Sequence, residues 1–292
     1  MRSRIDRLFE HLRDERRAAF IAYVCGGDPD PGRSLQILCE LAGAGVDVVE
    51  IGVPFSDPLA DGVVNQMAAE RALMAGASLV STLQLVRDFR SRHDTPLVLF
   101  TYLNPIYTYG FERFQADALE AGADAVLLLD LPPDEARLND ELQAPDGRRL
   151  QSIRLIAPTT PLERARELAA GAEGFIYYVS REGVTGEQTE LAQGLEDKVA
   201  ALKAVTEVPI AVGFGISTPD QAAHVARAAD GVVVGSAIVR TIERHRDDAE
   251  VAERVAEFVR PLVAATRHAR DTEGPAVLAP PPGTPDQVER MA

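Results

Sequence analysis

The chain lacks tryptophan and is poor in cysteine and in positive charge. Its 292 residues include two cysteines and 30 lysines and arginines against 45 aspartates and glutamates, for a net charge of −15. An acidic surface repels phosphate, which disfavours nucleic-acid binding. Any phosphate that the chain binds must therefore be held locally by backbone amides. No apolar run approaches the roughly 20 residues of a membrane helix, and the charged N-terminus is unlike a secretory signal. Cys25 and Cys39 have no CxxC spacing, so we expect small buried thiols in a reducing cytoplasm.

Eight short apolar runs alternate with helical patterns between residues 20 and 270. This alternation predicts parallel strands joined by crossover helices. Eight units in about 250 residues match a (β/α)8 TIM barrel, with an extra N-terminal helix over residues 3–16. A doubly wound open sheet is the alternative, but it usually has fewer strands, and no GxGxxG motif follows the first strand. We expect one α/β domain over residues 1–270 and a Pro-rich, disordered tail over 271–292.

Three further expectations concern segments around the strand ends. The spacing of apolar residues and the positions of helix-breaking residues predict three helical segments. They are a helix from Met67 to Met74, a largely helical segment from Leu131 to Leu142, and one last helical region from Gly235 to about Arg270.

Two carboxylates lie in apolar surroundings within residues 46–66, VDVVEIGVPFSDPLADGVVNQ. Glu50 is near the end of an apolar run typical of a buried strand, and Asp61 is in the loop that follows. An ionised group in an apolar strand is costly unless it has a partner or a role. Taken alone, Glu50 fits a structural ion pair as well as it fits catalysis.

The active site of such a barrel lies at the C-terminal ends of its strands. The two lysines, Lys198 and Lys203, both fall in the helix after strand six, which disfavours Schiff-base chemistry. The five histidines fall on helices or helix ends, which disfavours a histidine-ligated metal. Carboxylate acid–base chemistry without a metal remains.

Glycine-rich turns follow the last three strands, at 183–186, at 213–215 and at Gly235. Glycine lets the backbone approach a ligand closely, and a helix N-terminus presents free N–H groups to an anion. Any one of these turns alone is more often a plain turn. Three of them at neighbouring strand ends favour a phosphate site, which many barrels have there. Arg181 fits a phosphate anchor and a solvated surface residue equally well.

Six stretches together make the chain resemble the tryptophan synthase α subunit family over residues 3 to 268. They are VEIGVPFSDPLADG (49–62), YLNPIYTYG (102–110), APTTP (157–161), YYVSREGVTG (177–186), VGFGIS (212–217) and DGVVVGSAIV (230–239).

The resemblance implies a retro-aldol cleavage of indole-3-glycerol phosphate to indole and glyceraldehyde 3-phosphate. It implies that Glu50 shuttles protons and that Asp61 accepts the indole N–H. The other implied substrate-binding residues are the phosphate contacts Gly186, Gly215, Gly235 and Ser236, the loop threonine Thr185, Tyr177 beside the glutamate, and Phe214 near the indole ring.

The resemblance also implies a partner and no cofactor in this chain. The partner is a β subunit that carries pyridoxal phosphate, receives indole through a channel and forms an α2β2 complex. Its contacts would be Pro54 to Pro58 and Leu103 to Tyr109. The chain departs from the family pattern at Val63, where proline is usual, and at Asn65, where an apolar residue is usual.

Three other functions are open at this point. A stand-alone indole-3-glycerol phosphate lyase would use the same residues and release free indole. A silent activator of a β subunit is disfavoured because both carboxylates are present. Another phosphate-binding barrel enzyme is disfavoured because the loop from Glu50 to Asp61 is not part of the common phosphate motif.

Overall fold

A computed structural model describes residues 3–131, 148–179, 188–213 and 215–271, with the side chains of 188–193 excepted. Within these ranges, no helix combines the length and the apolar content needed to cross a bilayer. Most of the helix expected from Leu131 to Leu142, and the tail from residue 272 onward, lie outside the described residues.

Eight parallel strands close into a barrel in sequence order, which confirms the predicted TIM barrel. The last strand closes the barrel by pairing with the first, with Phe20 opposite Val232. The strands are β1 (Ala19–Cys25), β2 (Val48–Gly52), β3 (Leu97–Thr101), β4 (Ala125–Leu128), β5 (Gln151–Ile156), β6 (Ile176–Val179), β7 (Ile210–Gly213) and β8 (Gly231–Val234).

Eleven helices are seen among the described residues. They are α1 (Arg4–Asp14), α2 (Pro31–Gly43), α3 (Val63–Met74), α4 (Leu79–Arg90), α5 (Leu103–Tyr109), α6 (Phe111–Ala121), α7 (Leu162–Ala170), α8 (Gln188–Lys203), α9 (Pro219–Ala228), α10 (Ser236–Arg244) and α11 (Val251–His268).

The extra helix α1 closes the N-terminal end of the barrel. Its first turn has a capping box, in which Ser3 and Asp6 each accept a hydrogen bond from the other's backbone N–H. Its buried face packs on the side chains that fill the barrel interior, with the Phe9 and Phe175 rings 5.8 Å apart. The barrel interior is therefore a packed core at the N-terminal ends of the strands. An active site would lie at the opposite end, where the strands have their C-termini.

Three elements differ from the sequence-based expectations. Helix α3 begins at Val63, four residues before the predicted Met67. The short helix α5 was not predicted. The last helical region is two helices, α10 and α11, because the chain turns between His245 and Glu250. The first two differences place Asp61 and the end of β3 directly beside helix N-termini.

Candidate active site

Glu50 lies in the middle of β2, opposite Tyr23 of β1 and Val98 of β3. The side chain is fully buried, and neither carboxyl oxygen has a hydrogen-bond partner among the described residues. Because burial disfavours the charged form, the pKa of Glu50 is raised to about 8. A structural ion pair for Glu50 is therefore absent from the described part of the chain, and the carboxyl is poised to exchange protons near neutral pH.

Asp61 lies in the loop between β2 and α3, half-buried. Its Oδ2 accepts a 2.8 Å hydrogen bond from the Tyr102 hydroxyl, which itself accepts from the Ala60 N–H at 3.0 Å. Burial raises the pKa of Asp61, while side-chain hydrogen bonds from Tyr102 and Asn65 lower it. The two carboxyls thus differ in their hydrogen bonding, since Glu50 has no donor among the described residues and Asp61 accepts from Tyr102.

Two tyrosines extend the wall of the site. A Cβ built on Gly52 would clash with the Tyr23 hydroxyl oxygen, and one on Gly213 would lie 2.5 Å from that of Tyr177. These glycines, at the ends of β2 and β7, leave the space that the two phenol rings occupy. Burial raises the pKa of both tyrosines, and the charges of Glu50 and Asp61 raise it further. Both rings therefore lie near the two carboxylates and stay neutral.

The candidate phosphate residues lie at the ends of two neighbouring strands. Strands β7 and β8 are paired, with Gly213 opposite Val233. Gly215 follows β7 with a φ of +72°, a conformation that favours glycine. Gly235 and Ser236 follow β8, and Ser236 is the first residue of α10, where backbone N–H groups have no intrahelical acceptor. Gly235 also packs against Tyr23, since a Cβ there would lie 3.3 Å from the ring.

The barrel brings together Glu50, Asp61 and Tyr177, with Gly215, Gly235 and Ser236 at the same end. Thr185, Gly186, Phe214 and Arg181 lie outside the described residues. The sequence analysis did not assign a role to Tyr23, although its position at the end of β1 was a usable signal. Tyr102 opens the motif at 102–110, but its bond to Asp61 depends on the loop conformation.

A partly buried ion cluster lies beside this end of the barrel. Arg71 of α3 donates two hydrogen bonds of 2.9 Å to Asp28, which is buried after β1, and one of 3.2 Å to Glu243 of α10. The cluster ties the helix after Asp61 to the helix after Gly235. Among the described residues, no group of three or more His, Cys, Asp or Glu side chains is arranged to hold a metal ion.

This geometry can move a proton and stabilise a cation at one end of the barrel. Glu50 can give and take a proton, because its pKa lies near neutrality. An ionised Asp61 can stabilise positive charge that develops on a bound ring. The helix N-terminus at Ser236 can hold an anionic group.

A family model and known relatives match most of the chain. The family model for the tryptophan synthase alpha chain matches residues 9–267. The tryptophan synthase alpha chain of Geobacter sulfurreducens is 49% identical over 261 residues, which cover 89% of this chain and 97% of that one. The one from Opitutus terrae is 45% identical over 267 residues, which cover 91% of this chain and 99% of that one.

Solved structures support the same family assignment. Tryptophan synthase subunit alpha from Legionella pneumophila superposes with a TM-score of 0.81 at 37% identity, covering 94% of this chain and all of that one. A chain of tryptophan synthase from M. tuberculosis in an aminoacrylate-bound form gives a TM-score of 0.78 at 33% identity, covering 91% of this chain and all of that one. The chain belongs to the tryptophan synthase alpha chain family.

Proposed function

We propose that this α subunit is a lyase that cleaves indole-3-glycerol phosphate to indole and glyceraldehyde 3-phosphate, with Glu50 and Asp61 as its catalytic groups. The observation that carries the proposal is the fully buried Glu50 carboxyl, which has a pKa of about 8 and no hydrogen-bond partner among the described residues. It lies near the same two tyrosines, Tyr23 and Tyr177, as the Asp61 carboxyl. Family membership supports a role in tryptophan synthesis, with a β subunit as partner.

The first step is a proton transfer from Glu50 to C3 of the indole ring. The protonated ring carries positive charge on its nitrogen, and the ionised Asp61 beside the N–H stabilises that charge. In the described state, neither Glu50 oxygen touches solvent. The substrate therefore draws the carboxyl towards it or displaces the side chains that cover it.

The second step takes a proton back. The Glu50 carboxylate removes the proton of the hydroxyl on the carbon bonded to C3, and the bond between C3 and that carbon breaks. The bond's electron pair returns to the ring, which regenerates neutral indole, and the hydroxyl carbon becomes the aldehyde of glyceraldehyde 3-phosphate. One carboxyl gives one proton and receives one, so it is ready for the next turnover.

The phosphate end of the substrate fits the edge formed by β7 and β8. Gly215, Gly235 and the N-terminus at Ser236 offer backbone N–H groups to it, and we assign Gly186 and Thr185 to the same binding role. Tyr177 and Phe214 are assigned to the indole end. This chain needs no cofactor for the proton transfers, and the pyridoxal phosphate chemistry belongs to the β subunit.

The partner surface is proposed at the loop between β2 and α3, the first turns of α3, and α5. The exposed large apolar side chains there are Leu59, Val63, Met67 and Tyr107, with exposed fractions of 84%, 69%, 45% and 71%. Clustered exposed apolar side chains are typical of interaction surfaces. We propose an α2β2 assembly through this surface, in the cytoplasm, which is consistent with the two free thiols of Cys25 and Cys39.

The test is indole release from indole-3-glycerol phosphate by the purified chain, alone and with a tryptophan synthase β subunit. We expect slow release alone and strong activation by the partner. Fast release that is indifferent to the β subunit would favour the stand-alone lyase, which the relatives described above do not support. No release under either condition would contradict the proposed reaction.

A further inference from the structure

The ion cluster of Arg71, Asp28 and Glu243 has no role in the mechanism above. The Arg71 guanidinium donates from Nε to Asp28 Oδ1 and from Nη2 to Asp28 Oδ2, each at 2.9 Å, and from Nη1 to Glu243 Oε1 at 3.2 Å. The Asp28 carboxylate is completely buried, and the Arg71 side chain is 17% exposed. Both charges lose hydration on burial, so such a pair is weak evidence for stability. What it does fix is the orientation of the elements that it joins.

The cluster joins three elements at the C-terminal end of the barrel. Asp28 follows β1, Arg71 belongs to α3, and Glu243 belongs to α10. The loop after β1 also packs closely on the residues that follow α3, since a Cβ on Gly27 would lie 2.6 Å from the Ala77 Cβ. One guanidinium therefore bonds α3 both to the loop after β1 and to α10.

Apolar packing alone specifies the position of α3 less sharply. Its buried face consists of Ala68, Ala69 and Ala72, which pack with Tyr23 of β1 and Val239 of α10. Alanine lets two helices approach closely, but its short side chain forms a low ridge that interlocks little with a neighbour. A bidentate arginine–carboxylate pair, in contrast, has a defined orientation. The polar contacts of Arg71 therefore fix the position that the alanine face leaves free.

Each of these two helices positions one end of the proposed site. Asp61 lies two residues before the start of α3, and Gly62, which caps that helix, makes no side-chain hydrogen bond to it. Ser236 is the first residue of α10. The substrate must place its ring N–H at Asp61 and its phosphate at Ser236 at the same time. The separation of α3 and α10 therefore has to match the length of one molecule.

We propose that Arg71 is a positioning residue that holds α3 and α10 at the separation required by a ligand with both an indole ring and a phosphate. The inference rests on the proposed function, because that function places the ring at Asp61 and the phosphate at Ser236. The guanidinium hydrogen bonds described above go to Asp28 and Glu243. Arg71 therefore acts through the two helices and not on the substrate.

The test compares three ligands on the full-length wild type and on Arg71→Met. The first is an analogue in which an unreactive propyl chain joins the indole ring to the phosphate, so that it spans both ends of the site and is not cleaved. The others are indole and glycerol 3-phosphate, which each occupy one end. We expect the dissociation constant of the analogue, measured by NMR titration, to rise about tenfold in the variant, because the two ends are no longer aligned. The dissociation constants of indole and glycerol 3-phosphate should stay unchanged.

Glu243→Met is a second, milder variant. It removes the bond between α3 and α10 and leaves Arg71 paired with the buried Asp28, so it carries the test if Arg71→Met fails to fold. It should weaken binding of the analogue and leave the dissociation constants of indole and glycerol 3-phosphate unchanged.

The matched control is Arg17→Met. The Arg17 side chain is also 17% exposed and also bridges two carboxylates, Asp47 at 3.0 Å and Glu15 at 2.6 Å. This second cluster lies at the opposite end of the barrel, because Arg17 precedes β1 and Asp47 precedes β2. The control should leave all three dissociation constants unchanged, whatever stability it loses.

Two results would overturn the inference. One is an analogue that binds Arg71→Met and Glu243→Met as tightly as it binds the wild type. The other is an equal weakening of the analogue, indole and glycerol 3-phosphate, which would show local damage to the site and not a change in separation.

A wild type that neither binds the analogue nor releases indole would overturn the proposed function instead. The backbone amide NMR signals of Gly62 and Ser236 in the ligand-free protein would then decide the role of Arg71. Both signals should shift in Arg71→Met and stay in place in Arg17→Met. Unchanged signals in Arg71→Met would overturn the inference.

Discussion

The Glu50 carboxyl links the proposed chemistry to the stability of the fold. Its pKa is about 8 when folded and near 4.5 when exposed. Between these two pH values the folded chain binds more protons than the unfolded chain, so stability falls as pH rises. The loss begins near pH 4.5 and is complete above about pH 8. A buried glutamate that is useful as a proton carrier therefore destabilises the fold at alkaline pH.

Glu50→Gln should reverse this penalty, because glutamine stays neutral at every pH. We expect the variant to be more stable than the wild type at pH 8.5, by up to about 4 kcal/mol, and to have nearly equal stability at pH 5. Urea unfolding at both pH values measures the difference. A gain of the same size at pH 5 and pH 8.5 would show that Glu50 does not titrate in this range.

The candidate site could be predicted from the sequence only in part. Glu50 and Asp61 stand out because each is a carboxylate in an apolar stretch, a conflict visible in the residue order. The bond from Tyr102 to Asp61, and the place of Tyr23 against Gly52 and Gly235, depend on strand register and loop conformation. No periodicity encodes those contacts.

At the scale of elements, a glycine at the end of β2 and another at the end of β7 each leave room for a tyrosine ring from the neighbouring strand. The Tyr177 ring of β6 passes over Gly213 of β7, and the Tyr23 ring of β1 passes over Gly52 of β2. The ends of four strands are thus joined into one wall of the pocket.

Gly213→Ala tests this arrangement. The new methyl would lie 2.5 Å from the Tyr177 hydroxyl oxygen and 3.0 Å from the Val233 Cβ, so the ring must move. We expect kcat/KM for indole-3-glycerol phosphate to fall about tenfold or more, with a stability loss of about 1–3 kcal/mol. Gly43→Ala is the control, since a Cβ there meets no atom within 4 Å. Equal activity of the two variants would show that the Tyr177 position does not matter.

Helix boundaries near the site were the least predictable feature. Helix α3 has no side-chain cap at Gly62 and opens with Val63 and Val64, whose β-branched side chains are weak helix formers. Helix α5 has seven residues, too few for a periodic pattern. Helix α5 starts directly after β3, whereas α3 starts after the loop of residues 53–62 that follows β2. Tertiary packing rather than local propensity fixes both starts.

At the scale of the whole molecule, the barrel was predictable because the alternation of strands and helices leaves few topologies. The closing pair, β1 with β8, follows once eight parallel strands are present. The partner surface was predicted only by resemblance to the family. Leu59 and Tyr107, which are 84% and 71% exposed, are the apolar side chains that the proposed surface offers to a partner.

Tyr107→Ser tests the partner surface. Tyr107 is 71% exposed on α5, and buried tyrosines often dominate interface energies. We expect the affinity for the β subunit to fall about tenfold or more, measured by titrating its activation of indole release, with release by the α subunit alone unchanged. Val80→Ser removes a side chain that is 59% exposed on α4 and should leave affinity unchanged. If Tyr107→Ser and Val80→Ser changed the affinity for the β subunit equally, the β subunit would bind at another surface.

The most direct measurement is indole release from indole-3-glycerol phosphate by the wild type, Glu50→Gln and Asp61→Asn, with a β subunit present and folding checked by circular dichroism. Glutamine cannot exchange a proton, and asparagine cannot stabilise the charged ring as a carboxylate does. We predict that each variant is folded and that its turnover falls by a factor of roughly 100 or more. Near-normal turnover in either variant would contradict the assignment of that residue to catalysis.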